Sequence, residues 1–434
     1  MTRKQILAGL VLMACALGVE AQTYETQYRR PVSDVMKDVA KWFGVKFKFD
    51  GNVDTVGVTL PYADFRIRPY SLEQTLDNIC KHYDWNWWKQ SGNLYKIKLF
   101  EYPRRHEDEG RQMLDYLKTK YGSKTEWEQR RAVLRKEVRE RLEIDKFLDS
   151  CVKDPKPILS KIRKHDGYTT QNICLELTPG QHVFGTIYSS IKKGKKPLII
   201  CPDGHWPSRY RDDEQQRLGT LARMGAICVD FDLYGYSQSK DEVGNHNVAR
   251  AHVFQAACGL KLLDWMLTNR AKDIDTTRVA ANGGSGGGTH TVLLALLDSR
   301  ITASAPVVHV ASHFDGGCPC ESGMPVQLAG GGTCEAELAA IIAPQPLLLV
   351  SDGGDWTSTN PELEYPFIQR IFSFYGVKDN VRNVHLPKER HDFGPNKRRA
   401  VYDFFADVFQ LDRSMIDESK VTIEPAELMQ TKLK

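Results

Sequence analysis

The run Asn282-Gly283-Gly284-Ser285-Gly286-Gly287-Gly288 constrains this chain more than any other stretch. The largely apolar segment Thr277-Arg278-Val279-Ala280-Ala281 precedes it, and Thr289-His290-Thr291-Val292-Leu293-Leu294 follows. That order predicts a strand, a tight turn and a helix, with Gly-x-Ser-x-Gly at the turn. Glycines on both flanks let strand and helix approach closely and let the backbone take a strained conformation. A serine hydroxyl is a weak nucleophile unless it stands clear of the backbone, beside a base and near donors for an oxyanion. If Ser285 is that nucleophile, an acid and a histidine should follow it along the chain.

The surrounding pattern supplies a scaffold. Residues 197–201, 226–231, 305–310 and 346–350 are short apolar runs, as strands covered on both faces are. Helical stretches such as 251–267, 363–375 and 398–409 separate or follow them. The alternation predicts an α/β fold, a mostly parallel sheet with helices on both faces, over residues 161–412.

Active residues in such a sheet collect past the carboxyl ends of strands. Asp352 and Asp355 compete for the acid in Ser351-Asp352-Gly353-Gly354-Asp355-Trp356. Asp355 is favoured, because the two glycines give it reach beyond the strand end. His391, in Glu389-Arg390-His391-Asp392, is the last histidine of the chain and completes the order Ser, Asp, His. His290 and His313 are rival bases, and His313 is expected to line the pocket. Asp203-Gly204-His205-Trp206 follows another strand, so a backbone N–H near His205 is expected to pair with that of Gly286 as the oxyanion donors. The His205 ring, Trp206, Arg209, Arg211 and Arg390 are expected around the substrate. A nucleotide site is the weaker reading of the glycine run, which lacks GxxxxGK[ST] and has no acidic ribose partner where a dinucleotide fold would need one.

The 434-residue length implies more than one domain. Hydrophobic residues at 41%, charged residues at 26% and a net charge of +4 argue for a globular protein and against a nucleic-acid partner. Arg3 and Lys4, an apolar stretch at 6–18 and Ala21 before Gln22 read as an export signal over residues 1–21, too short to span a bilayer. The less favoured alternative is lipidation at Cys15. No other segment reads as transmembrane. Residues 22–100 read as a small α+β domain, with helices at 31–43 and after Ser71 and strands at 45–49, 56–67, 85–88 and 93–99. Residues 101–160 read as a charged helical connector with a Thr125/Glu128 capping box and a buried stripe of Trp127, Leu134, Val138 and Leu142. Residues 413–434 read as a tail.

Of ten cysteines, nine lie beyond residue 21, an odd number. Cys318, Cys320 and Cys334 flank a glycine-rich loop that a disulfide could stiffen. Cys318-Pro319-Cys320 has no matching CxxC or histidine pair nearby in the sequence, so no metal and no cofactor are expected.

Several phrases carry a resemblance: Pro202-Asp203-Gly204-His205-Trp206, Asp232-Leu233-Tyr234-Gly235-Tyr236-Ser237, Gly283 to Gly288, His313-Phe314-Asp315-Gly316-Gly317-Cys318-Pro319-Cys320-Glu321, Gly354-Asp355-Trp356-Thr357 and Ala400 to Phe405. Through them residues 165–412 resemble acetylxylan-esterase-like members of the α/β-hydrolase superfamily, and the pectin methylesterases of gut Bacteroidetes that act on rhamnogalacturonan II. Residues 22–100 resemble the STN module of secretins and TonB-dependent receptors. The resemblance implies a serine esterase with Ser285, Asp355 and His391 as its triad. It implies a plant polysaccharide substrate carrying methyl or, alternatively, acetyl esters, and a periplasmic or secreted location.

Overall fold

The computed structural model describes residues 28–100, 104–322 and 326–433. The expected export signal and Cys15 lie outside them. Among the described residues no helix is long and apolar enough to cross a membrane. The chain divides into two compact units, Met1–Tyr102 and Pro103–Lys434.

In the first unit, the helix Val32–Phe43 buries Val32, Val35, Met36 and Val39 at helical spacing and stops at Gly44 in the left-handed region. Leu94–Leu99 is the central strand of a three-stranded sheet, parallel to Lys46–Phe49 and antiparallel to Trp85–Ser91. Ser71 caps the helix Leu72–Cys80 by accepting from the Gln74 amide. The strand expected over 56–67 is not formed. Only Thr59–Leu60 is extended, paired with Arg30–Pro31, and Ala63–Arg66 is a helical turn. Pro61 has no N–H to give a ladder, and Tyr62 at φ 51° turns the chain away.

The second unit is built on a ten-stranded sheet. Eight strands are labelled here: β1 (Tyr168–Thr178), β2 (Gln181–Ser190), β3 (Lys196–Pro202), β4 (Ile227–Phe231), β5 (Ile274–Gly284), β6 (Ala303–Val307), β7 (Leu347–Asp352) and β8 (Val381–Leu386). Two short strands, Ile158–Leu159 and Arg163–Lys164, pair with β1. The order is 8-7-6-5-3-4-2-1. β3 to β8 run parallel, and β2 is antiparallel to both β1 and β4.

The longer helices of this unit are α1 (Glu107–Lys118), α2 (Lys124–Leu142), α3 (Ile144–Ser150), α4 (Asp212–Met224), α5 (Arg250–Asn269), α6 (Gly286–Leu297), α7 (Glu364–Ser373) and α8 (Pro395–Phe409). Alternation along the strands divides two cores. Leu198, Ile200, Val229, Val279 and Leu349 join residues of α1, α2, α5, α6 and α7 on one face. Ile199, Cys201, Cys228, Ala280 and Leu348 join residues of α4 and α8 on the other.

The helical stretch after residue 103 is part of this unit rather than a separate connector. Its stripe of Trp127, Leu134, Val138 and Leu142 is fully buried. The expected Thr125/Glu128 capping box lies two residues earlier. Ser123 accepts from the Glu126 amide, and Glu126 reaches back to the Gly122 N–H at 2.8 Å. The helix ends at Glu143, in the left-handed region, well before Pro155. Its charges are not all solvated: Arg130 forks onto the fully buried Glu337 with two 2.8 Å bonds. Arg135 and Arg139 donate to the carbonyls of Leu296 and Leu297 at the end of α6. Residues 413–433 are likewise no free tail. Glu424 pairs with Arg163 at 2.6 Å, and Met429 is fully buried.

Candidate active site

Ser285 sits between β5 and α6 at φ 54° and ψ −124°, a conformation that a non-glycine residue adopts only under constraint. Its amide donates to the Val307 carbonyl at the end of β6. The turn needs small neighbours. A Cβ on Gly283 would lie 2.4 Å from the Pro202 oxygen, and one on Gly287 would lie 2.3 Å from the same atom. The elbow can therefore seat against β3 only with glycine at both positions.

His391 lies on the loop between β8 and α8, and Asp355 on the turn after β7. His391 Nε2 stands 2.9 Å from Ser285 Oγ, and His391 Nδ1 stands 2.6 Å from Asp355 Oδ2. With the proton on Nδ1, the ring donates to Asp355 and offers its Nε2 lone pair to the serine hydroxyl. Asp355 is itself held: its Oδ1 accepts from the amide and the hydroxyl of Thr357, each at 2.6 Å. The His391 ring packs on Trp356 at 4.5 Å between centroids, and the Trp356 indole N–H donates to the His309 carbonyl. Asp355 is 3% exposed at its side chain and His391 29%. The acid is thus shielded while the base stays open to a reactant.

Asp352 is the other carboxylate of that turn, and it is no solvated turn residue. It is fully buried at the end of β7, 3.1 Å from the ammonium of the equally buried Lys397. Lys397 also donates to the Arg390 carbonyl at 2.7 Å and lies 2.9 Å from Asp392, so it grips the loop on both sides of His391. Burial pulls the Lys397 ammonium down, but its bonds to Asp392 and Asp352 outweigh that and hold its pKa above the ordinary value.

The Gly286 and His205 amides donate no hydrogen bond to any described residue. A Cβ on Gly286 would meet the His205 ring at 2.7 Å, and one on Gly204 would lie 2.4 Å from the Gly284 carbonyl oxygen, so the His205 loop packs against the elbow. The expected substrate role of the His205 ring is not supported. Its Nε2 lies 3.0 Å from His246 Nε2, 3.0 Å from Cys318 Sγ and 3.3 Å from Cys320 Sγ. His246 is a functional candidate that sequence reasoning missed. It lies 41 residues from His205 and 72 from Cys318, and only the fold brings the three loops together. The disulfide considered for Cys318, Cys320 and Cys334 is absent; all three are free thiols.

Arg209 also differs from expectation. It is fully buried, bonded to Asp232 at 2.6 Å, to Asp230 at 3.2 Å, to the Thr186 hydroxyl and to the Met429 carbonyl. Burial pushes the carboxyl of Asp230 up to about 7 and that of Asp232 to about 6, against the pull of Arg209. The arginine is their internal counter-charge, not a rim residue. Arg211 is held by Asp203 and Glu214 and stacks on Trp206 at 4.5 Å. Trp206 lies against Gly204 and Gly284, half-buried beside the elbow. His313 is 1% exposed, so it does not line an open pocket. His290 is fully buried, and its Nε2 lies 3.0 Å from the Cys320 carbonyl. Arg390, 90% exposed at its side chain, is the expected rim arginine that stays in solvent.

No family model matches the chain, and no curated protein does. Among solved structures, the chain is similar to "Methylesterase BT1017" at 62% identity and a TM-score of 0.89, over 94% of this chain and 92% of that one. It also shares a fold with a putative acetyl xylan esterase from Bacteroides fragilis at 17% identity and a TM-score of 0.50, over 68% of this chain and 80% of the other. At the identity and coverage of the first match, the chain belongs to the family of that methylesterase and is a carboxylic ester hydrolase of the α/β-hydrolase fold.

Proposed function

We propose that this enzyme is a serine methylesterase that removes methyl groups from galacturonate esters of pectin, rhamnogalacturonan II in particular, releasing methanol. The single observation that carries the serine mechanism is the continuous hydrogen-bond chain from Ser285 through His391 to Asp355, with the serine on a strained elbow. The methyl ester follows the activity that names the 62% identical relative, a methylesterase, and the pectic substrate follows the resemblance described above.

Ser285 Oγ attacks the ester carbonyl carbon as His391 Nε2 takes its proton. The carbonyl oxygen becomes an oxyanion within reach of the Gly286 N–H and an N–H of the His205 loop. Losing one such donor raises the barrier by about 3–4 kcal/mol. The C–O bond to the methoxy group then breaks, and His391 returns the proton to the leaving oxygen as methanol departs. Water, deprotonated by the same nitrogen, attacks the acyl-serine; the uronate leaves and Ser285 recovers its proton. Asp355 keeps the Nδ1 proton in place and stabilises the imidazolium. Residues 1–21 support export to the periplasm or beyond.

The test is product analysis on methyl-esterified pectin and on acetylated xylan. Methanol from the first, lost by about 10⁴-fold or more in Ser285→Ala, is expected. Acetate as the sole product would overturn the methyl reading, and unchanged hydrolysis in Ser285→Ala would overturn the nucleophile. Arg390→Gln is expected to raise KM on pectic oligosaccharides, whose neighbouring carboxylates it can pair, while sparing a small neutral aryl ester. Equal loss on both substrates would remove Arg390 from substrate binding.

A further inference from the structure

Four potential ligands from three loops converge at the carboxyl edge of the sheet. His205 follows β3, His246 lies on the loop between β4 and α5, and Cys318 and Cys320 follow β6. His205 Nε2, His246 Nε2 and both Sγ atoms lie within 4.8 Å of one another. His246 Nε2 is 3.2 Å from Cys318 Sγ, and the two sulfurs are 3.0 Å apart and unbonded.

Hydrogen bonding alone cannot account for this cluster. One imidazole nitrogen carries at most one proton, yet His205 Nε2 has three neighbours at 3.0–3.3 Å. His246 Nδ1 is committed to the Tyr234 carbonyl, so the His246 proton sits there and its Nε2 lone pair faces inward. His205 faces a carboxylate on its outer side, beyond hydrogen-bond distance. Its Nδ1 lies 3.7 Å from Glu321 Oε1, and Glu321 Oε2 accepts from the Gly317 amide at 2.6 Å. Rings whose outer nitrogens face a carbonyl or a carboxylate, with inner lone pairs aimed at one point, are arranged as metal-ligating histidines are.

We propose that His205, His246, Cys318 and Cys320 form a zinc-class divalent cation site. Zinc takes nitrogen at about 2.0–2.1 Å and sulfur at about 2.3 Å, so a tetrahedral His₂Cys₂ set needs ligand atoms about 3.3–3.8 Å apart. Five of the six ligand-atom pairs stand at 3.0–3.3 Å and all four atoms lie within 4.8 Å of one another. The two nitrogens are a few tenths of an ångström short of their tetrahedral separation, and the two sulfurs would spread by about 0.8 Å to take the cation. Two thiolates balance the charge of the cation. Four protein ligands leave no open position, so the site is structural rather than catalytic. Its effect on the reaction is positional: it pins the His205 loop against Gly286, where the oxyanion donors lie.

Metal binding is read without any ester, so the proposal stands or falls apart from the esterase reading. The full chain, reduced and incubated with zinc and then freed of unbound metal, is analysed by elemental mass spectrometry. About one zinc per chain is expected, with loss in Cys318→Ser, Cys320→Ser and His246→Ala. Because a variant can fail to fold, the unmutated protein is also loaded with cobalt(II). A thiolate-to-cobalt charge-transfer band with tetrahedral visible bands is the expected signature. A protein that takes up no zinc or gives no such band, or folded variants that keep the zinc of the parent, would overturn the proposal. A Cys318–Cys320 disulfide that persists in the reduced, zinc-treated protein would overturn it too.

Discussion

Two carboxylates three residues apart on one turn have unlike work, and side-chain direction alone separates them. Asp355 meets His391 at 2.6 Å, whereas Asp352 meets Lys397 at 3.1 Å. Asp355→Asn is expected to lower kcat by about 10⁴-fold with KM little changed, because an amide favours the wrong imidazole tautomer. Asp352→Asn is expected to act on stability. It removes a charge partner from a buried ammonium, a change typically worth about 3–5 kcal/mol, moderated here by Asp392 and Glu389. Steady-state kinetics and denaturant unfolding on both variants separate the roles; a kinetic loss confined to Asp352→Asn would reverse the assignment. The sequence places both candidates on the turn and gives Asp355 the reach, since glycines carry the chain past the strand end. Depth is harder to read. Arg209 and Arg211 lie two residues apart beside the site, yet Arg209 is drawn inside by Asp230 and Asp232, whose distance from it in the chain hides the pairing.

At the scale of elements, periodicity is legible and termini are not. The buried stripe of α2 follows from apolar spacing alone, because a helix face is a local property. The cap is ambiguous, because Ser123/Glu126 and Thr125/Glu128 both satisfy the capping-box spacing. Packing explains the choice: starting at Lys124 lets Arg130 reach Glu337, the Gly330 carbonyl and the Gly332 carbonyl. These contacts span about 200 residues of chain and leave no local signal. They do predict a measurable asymmetry. Arg130→Met strands a fully buried carboxylate and should cost about 3–5 kcal/mol in denaturant unfolding, while the double change Arg130→Met with Glu337→Met should recover much of that loss. Additive losses would show that the pair is not the source.

The mostly parallel sheet of the second unit follows from the alternation of strands and helices, whereas its strand order and the antiparallel β1 and β2 have no such local signal. Long-range burial of ionisable groups is where sequence reading stops, and His313 is an instance. It is 1% exposed with neither ring nitrogen hydrogen-bonded, Glu364 at 4.0 Å and Arg104 and Arg105 nearby. Burial, with the two arginines adding to it, pulls its pKa down to about 4. In the unfolded chain the same ring titrates near 6.5. Between those values the unfolded chain holds a proton that the folded chain lacks, so lowering the pH favours unfolding. Stability present above pH 6.5 is lost as the pH falls toward 4, by about 2 kcal/mol at pH 5 from this group. Buried carboxyls oppose it. Asp230 and Asp315 are pushed up to about 7 by burial, so the folded state holds their protons and gains stability as the pH falls through that value. The slope of the wild-type curve is therefore not diagnostic; its difference from His313→Leu is. The variant should lose less stability than the wild type between pH 7 and pH 5, measured by denaturant unfolding at each pH. Parallel curves would mean that His313 is protonated in the folded protein and that its burial carries no pH dependence.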